Sequence, residues 1–267
     1  MEKRFNTIET SFSRFEKDRL RYVTVHSKNL GGRGDICVFL PPEMPIDIPV
    51  VVLLHGVYGS AWSWALNGGV HLTALDMIAS GALPPMMVVM PSDGLWGDGS
   101  AYLPHNGFDF EKWIADDVPA VMQELFAEVT GKSSFFIGGL SMGGFGAMRI
   151  GAKYHERFNA ISGHSSITSL EQMKYFTTED LGRYAQADPV SEDVLATILR
   201  FKKHLPRLRF DCGYDDVLLP YNRLLHEALE KEGVSHEYHE FAGGHQWNYW
   251  EEHVRDTFLF FAKTLRP

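Results

Sequence analysis

Gly139-Leu140-Ser141-Met142-Gly143-Gly144 places a serine between glycines at a spacing that suits nucleophilic chemistry. The apolar run 135–137 precedes it and a helix-compatible stretch, 145–154, follows, so the serine falls in a strand–turn–helix setting. Such a turn lifts the hydroxyl above the end of a sheet. Larger side chains at Gly139 and Gly143 would collide with the neighbouring strand and helix. The start of the next helix favours developing negative charge. A dinucleotide-binding loop is the rival glycine-rich reading. It fails because the segment has no G-x-G-x-x-G register and lies mid-chain, away from the first βα turn.

A serine hydroxyl is a weak nucleophile at neutral pH and needs a base. On a sheet of this kind the partners follow in the order Ser, acid, His. Of twelve histidines, His245 alone combines a late position with a loop after a predicted strand, 237–241. Gly243 and Gly244 let that loop swing the imidazole over Ser141. His236 and His239 would point to opposite faces of a strand, which disfavours a shared metal ion. His55 precedes the oxyanion loop, and His253 lies inside the last predicted helix. The acid is expected after the penultimate strand, in Asp211-Cys212-Gly213-Tyr214-Asp215-Asp216. Asp211 belongs to the strand end, and spacing leaves Asp215 and Asp216 equal. The tetrahedral oxyanion needs donors as well. The amides of Val57, in His55-Gly56-Val57-Tyr58-Gly59, and of Met142 are the candidates. Tyr58, Trp64 and Trp247 are candidate substrate-binding residues, within a wider aromatic set of Trp62, Trp96 and Tyr102.

The elements that must position these groups are legible as patterns. Residues 49–54 form a continuous apolar run, as in a strand buried on both faces. Runs at 86–90, 135–137, 158–161 and 208–210 repeat it. Helix-length segments lie at 70–79, 110–130, 143–154, 221–232 and 249–264. Strands alternating with helices predict an α/β fold, a mainly parallel central sheet with helices on both faces. The serine turn in its strand–turn–helix setting makes the α/β-hydrolase fold the expected one. Residues 20–25 and 35–40 read as a hairpin around Asn29-Leu30-Gly31-Gly32. Residues 1–18 read as an N-terminal arm and 19–267 as a single domain. Its stretch 166–205 reads as a small insertion with helical pieces at 170–176 and 193–203.

Composition narrows the partners. The chain has 267 residues, a net charge of −9, 45% hydrophobic and 22% charged residues, ordinary for a soluble globular protein. The acidic balance argues against nucleic acid, which needs clustered Lys and Arg. The basic run 200–209 reads as a solvated helix end leading into a strand. Cys37 and Cys212 stand apart and form neither a disulfide framework nor a metal motif. The first residues carry no signal-peptide pattern, and no run approaches the length of a membrane span. The expectation is a cytoplasmic protein without cofactor or metal, whose partner is a small-molecule ester; a homo-oligomer is compatible with the sequence.

Four blocks together resemble the esterase family that includes esterase D, the feruloyl, acetylxylan and tributyrin esterases and the mycobacterial mycolyl transferases. They are Leu53-Leu54-His55-Gly56, Gly139 through Gly144, Cys212 through Asp216, and Gly244-His245-Gln246-Trp247. The passage from Ile78 to Gly81 and on to Pro91 is similar too, and the resemblance runs from about Arg19 to the C-terminus. It implies an acid three residues after the glycine of the third block, hence Asp216. It also implies a serine carboxylic-ester hydrolase working through an acyl-enzyme on short-chain, aryl or sugar-borne esters. Acyl transfer or thioester cleavage would use the same residues, and a non-catalytic binding protein is the reading from another class. The S-formylglutathione hydrolase branch carries a cysteine-containing loop where this chain has Gly56-Val57-Tyr58-Gly59. Mycolyl transferases are exported, and this chain shows no export pattern.

Overall fold

The structure, a computed structural model, describes residues 5–265. Antiparallel strands come first: β1 (Ile8–Thr10), β2 (Leu20–Ser27) and β3 (Gly32–Phe39). The β2–β3 turn closes at Gly31, whose φ of +57° suits glycine. β4 (Val50–Leu54) then enters the middle of the sheet with all five residues buried. Helices α1 (Ser63–Leu66) and α2 (Val70–Ala79) lead to β5 (Met87–Pro91). A two-stranded ribbon, β6 (Pro104–His105) and β7 (Phe108–Asp109), lies outside the main sheet. Next come α3 (Phe110–Lys112), α4 (Val118–Leu125), β8 (Phe135–Leu140), α5 (Met142–Lys153) and β9 (Phe158–His164). The chain ends with α6 (Val194–Phe201), β10 (Arg207–Gly213), α7 (Leu219–Lys231), β11 (Glu237–Phe241) and α8 (Trp247–Thr264).

The main sheet runs β1-β2-β3-β5-β4-β8-β9-β10-β11. It is antiparallel from β1 to β5 and parallel from β5 through β4 to β11. Strand periodicity divides the core in two. Val50, Val52 and Leu54 pack in one cluster with residues of α4, α5, α6 and α7, while Val51 and Leu53 pack in the other with α2 and α8. Helices therefore cover both faces, as the apolar runs imply.

The helix expected over 110–130 is broken: a π-helical turn at Trp113–Asp117 separates α3 from α4, and the backbone turns extended at Phe126. Pro119, at the start of α4, has no N–H to continue the ladder. Phe126 and Val129 are buried in the following loop, so the apolar spacing outlasts the helix. Within the expected arm, Ile8 pairs with Val25 as part of β1. The long link between β9 and β10 is mainly 3-10 turns plus α6. Asp180, Asp188 and Asp193 each accept from a backbone N–H at the start of a turn or helix there. The basic run that follows is only partly solvated: Arg200 pairs with the exposed Asp188, whereas Arg209 is buried.

Candidate active site

β8 ends at Leu140 and α5 begins at Met142, leaving Ser141 alone at the turn with φ 55° and ψ −120°. A non-glycine residue in that left-handed region is strained and must be held by its surroundings. Its N–H donates to the His164 carbonyl at 2.9 Å, and its own carbonyl accepts from Phe145 N at 3.1 Å. The flanking glycines are demanded by backbone. A Cβ on Gly139 would overlap the Gly143 carbonyl, and one on Gly143 would overlap the Leu54 carbonyl.

His245 follows β11, and Asp216 follows β10. Nε2 of His245 lies 3.0 Å from Ser141 Oγ. Its Nδ1 lies 2.9 Å from Asp216 Oδ2 and 3.2 Å from Oδ1. With Nδ1–H donating to the carboxylate, the Nε2 lone pair faces the serine hydroxyl. Asp216 is buried and also accepts from Leu218 N at 2.8 Å, whereas Asp215 is exposed. The two loops are stitched together: Tyr214 N donates to Phe241 O at 2.8 Å and Asp215 N to Gly243 O at 2.9 Å. Gly243 sits at φ +121°, and a Cβ on Gly213 would strike its carbonyl.

The other histidines lie elsewhere. His236 Nε2 is 2.8 Å from His226 Nδ1, and His253 stacks on Phe241. Buried His55 braces the candidate oxyanion loop. Its Nδ1–H donates to Gly56 O at 2.7 Å, and its Nε2 accepts from Asp93 N at 3.0 Å, which fixes the orientation of the ring. Tyr102 OH donates to the His55 carbonyl at 3.0 Å, and Tyr58 N to Asp98 O at 2.7 Å. The N–H groups of Val57 and Met142 donate to no other group among the described residues. Met142 opens α5, where free N–H groups and the helix dipole favour an anion.

The aromatic residues separate. Tyr58 is 66% exposed and Trp247 half-buried, but Trp64 is only 1% exposed. Its indole donates to Leu54 O at 3.0 Å and meets Trp247 edge-on at 5.8 Å. Trp64 is thus core packing that supports Trp247 from behind, which corrects its expected contact with substrate. Tyr102 is likewise buried. Phe176, which the sequence reading does not single out, stacks on the His245 ring with centroids 4.6 Å apart. Trp250 meets the same ring edge-on at 5.0 Å. Thr177, beside Phe176, donates to Asp98 at 2.5 Å, and Tyr58 OH donates to the same carboxylate at 3.1 Å. The β9–β10 link therefore meets His245 directly and, through Asp98, the candidate oxyanion loop. Only the apolar character of Tyr175-Phe176 hinted at this, because no regular periodicity surrounds it.

Among the described residues no group of three His, Cys, Asp or Glu could hold a metal ion, and no helix is long and apolar enough to cross a membrane.

A family model described as "Putative esterase" matches residues 27–261. An acetyl esterase of Caldicellulosiruptor saccharolyticus is 27% identical over 269 residues, covering 90% of this chain and 97% of that protein. A solved ferulic acid esterase superposes with a TM-score of 0.78 at 24% identity, covering 97% of this chain and 99% of its own. A ferulic acid esterase of Anaeromyces mucronatus, solved with ferulic acid, gives a TM-score of 0.72 at 19% identity, with 92% of each chain covered. At those identities the two structures speak for a shared fold.

Proposed function

The chain belongs to this esterase family, and we propose that it is a serine-dependent hydrolase of carboxylic esters with compact acyl groups. The observation that carries the reading is the unbroken hydrogen-bond chain from Ser141 Oγ through His245 to Asp216. Ser141 attacks the ester carbonyl while His245 Nε2 takes its proton. Asp216 holds the imidazole in the tautomer that leaves Nε2 free and stabilises the imidazolium that forms. The amides of Val57 and Met142 donate to the oxyanion. Collapse of the tetrahedral intermediate expels the alcohol, which takes the proton from His245, and leaves Ser141 acylated. Water, deprotonated by the same imidazole, then releases the acid and restores the serine.

The acyl preference follows from the walls. Tyr58, Trp247 and Phe176 present rigid rings near the base and the oxyanion loop. Fixed aromatic surfaces suit a small or planar group better than a long flexible chain. The acetyl ester named for the relative and the ferulic acid named for the structural neighbours are both compact. Across p-nitrophenyl acetate, butyrate, octanoate and palmitate, kcat/KM is expected to peak at acetate or butyrate. Palmitate should fall below the peak by about tenfold or more. A feruloyl ester should be cleaved alongside the short esters. A maximum at palmitate would overturn this substrate class and point to a lipid-facing cleft.

A further inference from the structure

A second His–Asp pair lies beside the Ser141–His245–Asp216 chain and takes no part in it. His164 Nδ1 is 2.9 Å from Asp211 Oδ2, and both side chains are fully buried. The same carboxylate accepts from Arg209 Nη1 at 2.6 Å and from Tyr249 OH at 2.7 Å. The other nitrogen of His164, Nε2, lies 2.8 Å from Thr257 Oγ1, which in turn lies 2.5 Å from Ser162 Oγ. Burying charges carries a desolvation cost of several kcal/mol per ion, and well-packed hydrocarbon of similar volume is often as stabilising or more so. Stability alone is therefore a poor account of this cluster.

Its placement suggests another. His164 ends β9, and its carbonyl is the acceptor for the Ser141 N–H. Asp211 lies in β10, the strand that runs at Gly213 into the loop holding Asp216, and its carbonyl accepts from Ser165 N at 2.8 Å. Tyr249 lies in the first turn of α8, four residues after His245. One carboxylate thus ties together the elements that deliver the nucleophile, the acid and the base. Burial by itself would raise the Asp211 carboxyl. The charges of His164 and Arg209, with hydrogen bonds from His164 and Tyr249, outweigh it and hold the group well below the usual carboxylate range. Asp211 stays ionised and keeps its donors Arg209, Tyr249 and His164.

We propose that Asp211, acting through Tyr249 and His164, is a positioning residue that sets the distance between His245 and Ser141. It rests on the hydrolase reading given above, since it concerns the presentation of that base to that nucleophile. Displacements on the order of 1 Å at reacting groups cost up to about 10²-fold in rate, so a small loss of restraint has a measurable effect.

Tyr249→Phe removes one hydrogen bond and leaves the ring in place. With p-nitrophenyl acetate, kcat is expected to fall about tenfold with KM essentially unchanged. The rate of fluorophosphonate labelling at Ser141 should fall in parallel. The thermal midpoint should drop by only about a few degrees. Asp211→Asn should act in the same direction and more strongly. Because it leaves Arg209 only the half-exposed Asp256 carboxylate, 3.8 Å away, and endangers folding, Tyr249→Phe carries the decision. A folded Tyr249→Phe protein with unchanged kcat and labelling rate would show the cluster to be structural and overturn the proposal. A raised KM at unchanged kcat would overturn it too, by placing Tyr249 in substrate binding. Failure of the unsubstituted protein to label at Ser141 would instead remove the hydrolase reading, and this proposal with it.

Discussion

Ser141→Ala is expected to lower kcat for p-nitrophenyl acetate by on the order of 10⁴-fold or more. The substitution deletes one oxygen and keeps Cβ, so the strained turn meets the same steric demands. All three backbone hydrogen bonds of residue 141 survive, because they use its N–H and C=O. His245 loses a partner, but its bond to Asp216 remains. The protein should therefore fold with an unchanged circular dichroism spectrum and a similar thermal midpoint while turnover disappears. Fluorophosphonate labelling should vanish with it. Substantial activity in the folded variant would end the assignment of Ser141 as nucleophile.

The second large effect separates two adjacent acids. Asp216→Asn is expected to cut kcat by on the order of 10⁴-fold, because an amide facing Nδ1 favours the tautomer that puts a proton on Nε2. Nε2 could then no longer take the serine proton. Asp216 is buried and lies against His245 Nδ1 through both carboxylate oxygens. Asp215 is exposed, and the hydrogen bond that its residue makes to Gly243 uses backbone N. Asp215→Asn should therefore change kcat by only a few-fold, as expected for an exposed substitution. Steady-state kinetics on both variants decides the matter, and the reverse ranking would move the acid to Asp215.

Much of this architecture is legible in the chain because backbone collisions dictate residue type. Gly139, Gly143, Gly213 and Gly243 lie where carbonyls press close or where φ is positive, and they mark the loops that present chemistry. The valine-rich runs announce strands because both faces of β4 and β5 are buried. Local spacing breaks down where tertiary packing takes over. Phe126 and Val129 continue a helical apolar pattern through a loop that merely buries them. Trp64 looks like a pocket residue for its type and position, yet it fills the core behind Trp247. Phe176 lies in irregular chain and meets His245 across 69 residues of sequence. His164 and Asp211 are similarly remote, and neither carries a motif of its own. A three-residue strand such as β1, with exposed Glu9 and Thr10, has too little pattern to announce itself.

The proposed base, His245, hangs from the last strand of the sheet. β11 pairs with β10 on one side only, spans five residues, and has none of them fully buried. β8, which leads to the proposed nucleophile Ser141, is paired on both sides and buried throughout. Opening an edge strand breaks one ladder and exposes little apolar surface, so it costs less than opening a central one. Among the strands that carry the proposed site, the imidazole's own support should accordingly open while the serine turn remains native. Activity under heat or denaturant is then expected to be lost through the fraying of this margin, ahead of global collapse. Stabilising substitutions in the central sheet would leave that weak point untouched, whereas reinforcing β11 or its contact with α8 would extend the working range.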